Sequence, residues 1–218
     1  MDDRLIEAGE RYEAAVFAGA DDGLDAADRA LDAVEADTAL ARGRIRHARY
    51  LSARADGEQP GEDETEIALF ERALALYEAL GDTRGAGEAQ FWVGCYHQVV
   101  RGDMDTTEAM FARSRDLAEA AGDDLTRSYA LRHLAFAAQH AGRTAEAHAT
   151  LAESTRLRRD LGFAAGVAAN LVAEAYFTAE GGPGDASTLL DEAATLAATS
   201  GARAVAGWVS EARTNLTP

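Results

Sequence analysis

Apolar and small side chains recur along this chain at intervals of three and four residues, the period of one face of an α-helix, and glycine interrupts the runs at regular places. Gly81, Gly122, Gly162 and Gly201 each follow a helical run, at spacings of 41, 40 and 39 residues. Glycine just past such a run tolerates the left-handed conformation that closes a helix, so each marks a helix end. Halfway through each period stands a second break, at Gly102-Asp103, Gly142-Arg143 and Gly181-Gly182-Pro183-Gly184. The pattern predicts two helices of about 16 residues per period joined by short turns, an αα-hairpin repeated without a gap.

Aligned on these glycines, the periods share a packing code. In the first helix Phe91, Leu131 and Leu171 occupy one site, and Cys95, Ala135 and Ala175 the site four residues on. In the second helix Thr107, Ala147 and Ala186 align, then Phe111, Leu151 and Leu190, then Ser114, Ser154 and Ala193. Small residues let helices approach and large ones fill the space between hairpins. Upstream, Thr38 to Arg54 and Asp63 to Leu80 read as another hairpin with a longer connector at 55–62, and Asp2 to Ala18 and Gly23 to Ala36 as a degenerate first one. Ala202 to Asn215 reads as a solubilising end helix.

Large-x-x-x-small followed by small-x-x-x-large-x-x-small resembles the tetratricopeptide repeat. The period near 40, with junctions such as Leu80-Gly81-Asp82 and Leu161-Gly162-Phe163, is similar to the longer subclass of kinesin light chains and of the sensor regions of bacterial transcriptional regulators. Two features depart from the family pattern: Phe91, Leu131 or Leu171 replaces the early tryptophan, and glycine replaces the closing proline. The resemblance covers residues 82–201 well and implies an all-α fold, a right-handed α-solenoid of antiparallel helical hairpins with a C-terminal capping helix. The expected hairpins are 2–36, 38–80, 83–121, 124–161 and 164–200, with the cap at 202–215, in a single domain spanning 1–218.

In such arrays the first helices line the concave face, so their exposed positions are expected to bind a protein segment or peptide. The candidate groove residues are Trp92, Tyr96, Tyr129, Arg132, His133, Phe136 and Tyr176. Tyr96, Phe136 and Tyr176 fall at equivalent sites, and aromatics at this spacing serve equally in interhelix packing. Trp92 and Arg132 follow the large core residue directly and so turn away from it. A second candidate is the stripe Arg42, Arg46 and Arg49, one helix face fit for an anionic ligand or for pairing with local acids such as Asp37.

Charge narrows the partners. The chain carries 38 acidic residues against 21 basic ones, net −17, and every basic residue other than histidine is arginine, which reads as the coding bias of a GC-rich bacterial genome. This balance opposes nucleic-acid binding, which draws its affinity from phosphate neutralisation. The acidic N-terminus lacks the positive charge of a signal peptide, and no run of about 18 apolar residues is present, so a cytoplasmic location away from membranes is expected.

Chemistry-bearing motifs are few. There is no His-Glu-x-x-His, phosphate-binding glycine loop or Gly-x-Ser-x-Gly, so neither catalysis nor a cofactor is expected. Only His133 and His140, with an acid such as Glu174, suggest a metal set, and packed or surface histidine is the simpler reading. Cys95 falls at a small-residue site and reads as an inert core thiol. Two other functions stay open: self-association through the C-terminal helix with Val205, Trp208 and Val209, and an enzyme or small-molecule sensor that uses the aromatic groove as a pocket.

Overall fold

A computed structural model describes residues 1–182 and 184–216, and among them the chain forms ten α-helices and no strand. It divides into two compact units, Met1–Gly102 and the residues from Asp103 onward. Each is built from helices packed against their neighbours in sequence, consistent with a helical repeat.

The first unit holds α1 (Asp3–Ala18), α2 (Leu24–Ala55), α3 (Glu64–Leu80) and α4 (Thr83–Cys95), which runs on into one π-helical turn at Tyr96–Val100. Here the sequence reading needs correction. The break expected between residues 36 and 38 does not exist, because α2 is one continuous helix of 32 residues. No glycine or proline interrupts Glu35 to Leu40, and Ala36, Ala39 and Leu40 continue the buried stripe. Asp37, which resembles a helix-start residue, instead accepts hydrogen bonds from Tyr77 at 2.8 Å and Arg4 at 2.9 Å. Gly43 admits the Phe70 ring to the surface of α2, where an added Cβ would lie 2.5 Å from a ring carbon.

The second unit holds α5 (Thr107–Ala121), α6 (Asp124–His140), α7 (Thr144–Asp160), α8 (Ala164–Ala179), α9 (Ala186–Ser200) and α10 (Arg203–Leu216). Each packs on the next, and α10 packs on α8 as well as α9. Gly122, Gly162 and Gly201 all have φ of 68°, in the left-handed region, where a side chain would be strained. The break at Gly181 to Gly184 is present on both sides of Pro183, which lies outside the described residues.

The aligned positions form the interior of both units. Phe91, Leu131, Leu171, Phe111, Leu151 and Leu190 are buried, as are their small partners Cys95, Ala135, Ala175, Ser114, Ser154 and Ala193. Leucine and phenylalanine buried in this way contribute about 1.5–3 kcal/mol each relative to exposure. This packing fixes which side of α6 and α8 is left to face outward.

An arginine pair beneath an aromatic cleft

The interior of the second unit contains a polar cluster that runs against its apolar surroundings. Arg158, near the end of α7, is only 1% exposed. Gly166 makes room for it: a Cβ there would lie 2.4 Å from the Phe163 ring and 3.0 Å from Arg158 Cδ. The guanidinium stands over the rings of Tyr129 at 4.8 Å and Phe163 at 5.7 Å, whose π faces favour a cation. Its Nη1 donates to the Gly166 carbonyl and to Asn170 Oδ1, both at 2.9 Å, and its Nε to Ser128 Oγ at 3.3 Å. Nη2 is buried and has no hydrogen-bond partner among the described residues.

A second arginine meets the same oxygen. Arg132 on α6 donates from Nη1 to Asn170 Oδ1 and to the Ala169 carbonyl, both at 2.8 Å, and its guanidinium covers the Phe136 ring at 4.7 Å. Asn170 is fully buried, and its amide donates to Ser154 Oγ at 2.9 Å and Thr155 Oγ1 at 3.1 Å. One neutral side chain therefore holds two guanidiniums. Neither arginine forms an ion pair with a carboxylate among the described residues. Burial and then the Arg158 charge push the Arg132 pKa down to about 9, and burial pushes that of Arg158 down to about 10, so both stay charged at neutral pH.

Arg132 also lines a surface cleft of about 380 Å³. Its walls are Phe136 from α6, Val172, Ala173, Tyr176 and Phe177 from α8, and Trp208 and Glu211 from α10. The hydrogen bonds of Arg132 all leave from Nη1, so its other N–H groups remain for the cleft. Trp208 is 46% exposed, and Tyr176 Oη accepts a hydrogen bond from Asn215 Nδ2 at 3.2 Å. The surface is thus an apolar, largely aromatic hollow with a cation on one wall and a carboxylate on another.

The structure gathers some of the expected groove residues and disperses others. Arg132, Phe136 and Tyr176 share the cleft. Tyr129 lies under Arg158, and His133 is stacked on Phe111 with ring centroids 4.8 Å apart. Trp92, in the first unit, stacks on Phe70 at 5.6 Å and packs edge-on against His47 at 5.4 Å, so it is partly held in interhelix packing. Tyr96 corrects the expectation of a groove contact: it is 0% exposed, its hydroxyl has no partner among the described residues, and Arg101 covers its ring at 5.0 Å. Tyr96 opens the π-helical turn and is packed inside the first unit, so it offers no groove contact.

The arginine stripe also resolves into separate roles. Arg46 pairs with Asp63 at 2.5 Å, whereas Arg42 and Arg49 are exposed. The suggested metal set is not assembled: His133 is stacked, His140 is exposed, and Glu174 accepts from His148 Nδ1 at 2.5 Å. No group of three potential ligands among the described residues is placed to hold a metal ion. Cys95 is buried, and burial followed by the nearby Glu66 charge pushes its thiol pKa well up, which suits an inert core residue. Val205 and Val209, offered as a dimer surface, pack into their own unit's core, leaving Trp208 as the exposed large apolar side chain of α10.

Arg158, Asn170, Phe177 and Glu211 are site residues absent from the sequence reading, which placed Trp208 only on a self-association surface. Asn170 carried a signal, since it is a lone amide in the apolar run from Val167 to Ala173. Arg158 carried none, because Arg156 and Arg159 beside it are indistinguishable in sequence and are exposed. No helix among the described residues is long and apolar enough to cross a membrane. No protein-family model matches the chain, and no curated protein matches it significantly.

Proposed function

We propose that this chain is a non-catalytic binding module of the helical-repeat type, a stack of tetratricopeptide-like hairpins that holds a segment of a partner protein against its first helices. The observation that carries the reading is the cleft itself. Two successive first helices, α6 and α8, and the end helix α10 contribute its walls, and four aromatic side chains surround an arginine edge with unused donors. Aromatic anchors around a directional charged group are what a peptide-binding surface needs, since the rings supply contact area at low entropic cost and the guanidinium fixes orientation. The lining offers no nucleophile paired with a base.

The test is binding of a displayed peptide library by the full chain, compared with Arg132→Gln combined with Trp208→Ala. Selected peptides should lose about tenfold or more in affinity for the double variant, on the scale of one to two anchor contacts. The same peptides bound with unchanged affinity would remove the cleft from the assignment. Small-molecule sensing, the second reading, is favoured by the cleft's modest volume, at the low end of the roughly 300–1,000 Å³ of ligand pockets.

A further inference from the structure

Two opposite charges line the cleft without using each other. Arg132 and Glu211 both face it, yet they form no ion pair, and neither pairs with any other charged side chain among the described residues. This is unusual in a chain whose arginines are otherwise so often paired: Arg44, Arg46, Arg72, Arg101, Arg127 and Arg143 all hold carboxylates. Behind Arg132, within reach of the same Asn170 oxygen, stands the buried charge of Arg158 with an unpartnered Nη2. Two positive charges in a largely desolvated setting make the Arg132 wall a strong attractor for an anion. Between the charged walls the surface is apolar and aromatic.

From this arrangement we infer that the cleft takes a free α-amino acid with an aromatic or branched apolar side chain. Its carboxylate binds the unused N–H groups of Arg132, its ammonium faces Glu211, and its side chain lies against Phe136, Tyr176 and Trp208. Each chemical part of the ligand meets its complement, and the charge balance excludes alternatives. A dicarboxylate would set its second charge against Glu211, and an amine without a carboxylate would leave the arginine pair uncompensated. A volume of about 380 Å³ admits one residue-sized molecule but not a folded segment. The inference rests on this cleft being the binding site of the proposed module, and adds a small occupant that competes with the partner segment for Arg132.

Isothermal titration calorimetry of the full chain tests it with four probes: L-phenylalanine, its amide, N-acetyl-L-phenylalanine and 3-phenylpropionate. Phenylalanine should bind with a Kd of about 0.1–1 mM, a value in keeping with its few non-hydrogen atoms. The amide, lacking the carboxylate, should bind about tenfold more weakly. The acetyl derivative and phenylpropionate, lacking the ammonium, should each lose several-fold, on the order of an exposed charge contact. Arg132→Gln should erase the preference for phenylalanine over its amide, and Glu211→Gln the preference over the acetyl derivative, patterns that a general loss of folding does not produce. Equal binding of all four probes, preferences that survive in both variants, or no heat of binding up to about 10 mM would each overturn the inference. Peptides that still bind in an Arg132-dependent manner would then show that only the small-ligand assignment has failed. Loss of both kinds of binding would remove the cleft as a site.

Discussion

At the scale of single residues, stability and the proposed recognition converge on Asn170. Its carbonyl oxygen is the shared acceptor of two guanidiniums, and each hydrogen bond to a charged donor is worth about 1.5–3 kcal/mol. Asn170→Ala removes both and leaves the buried Arg158 and half-buried Arg132 facing a void, so we expect a loss of about 2–4 kcal/mol in urea unfolding, large for a single substitution. Gly182 makes a second residue-scale prediction. A Cβ there would lie 2.1 Å from His148 Nε2 and 2.9 Å from the Phe177 carbonyl, so Gly182→Ala should lower the thermal midpoint by several degrees, equivalent to about 1–3 kcal/mol. Gly207, whose added Cβ meets nothing, is the control. Much of this was invisible in sequence. Trp92 and Tyr96 share one helical run, and how each packs depends on residues such as Phe70 that belong to another helix.

At the scale of elements, the Gly-Asp junctions explain why the helix ends beside them could be read from the sequence. Gly81 closes α3 with φ of 70°, and the next residue, Asp82, caps α4 by accepting from Gly85 N at 2.9 Å. Gly122 and Asp123 do the same between α5 and α6, with Asp123 accepting from Thr126 N at 3.1 Å. Stop and start signals on consecutive residues leave one place for the turn, and this local chemistry survives without tertiary knowledge. The continuous α2 was missed for the opposite reason, since Asp37 makes long-range bonds rather than a cap. Asp63 allows a pH test. Burial acts to raise its pKa, but hydrogen bonds from Arg46 and the Thr65 backbone outweigh it, so the net shift is downward. A carboxylate lowered on folding stabilises above its ordinary range near pH 4, and that contribution is lost as pH falls through the lowered value. Asp63→Asn keeps a cap but not the charge. The difference in urea midpoint between wild type and variant should therefore shrink from pH 7 to pH 3.

At the scale of the whole molecule, the two units differ in what their interiors contain. The first buries a histidine–carboxylate contact, with His47 Nδ1 2.8 Å from Glu66 Oε1. The second buries the Arg158 cation with no carboxylate paired to it among the described residues. Two core clusters lie within the helices of the second unit, with Leu171, Leu190, Val205 and Val209 in one and Leu151, Ala173 and Phe177 in the other. Residues 103–218 expressed alone should therefore keep a helical circular-dichroism spectrum and a cooperative melt. A featureless melt would contradict this expectation. A further consequence attaches to Asn170. Aspartate has nearly the same shape and lies one nucleotide away, and in a chain with 38 acidic residues it would be an ordinary substitution. An aspartate there would give the arginine pair a permanent counter-ion and close the charge account of the interior. With asparagine in place, the interior supplies no compensating charge, so under the proposed binding of a carboxylate at Arg132 electroneutrality at the centre of this unit becomes a property of the complex and not of the free protein.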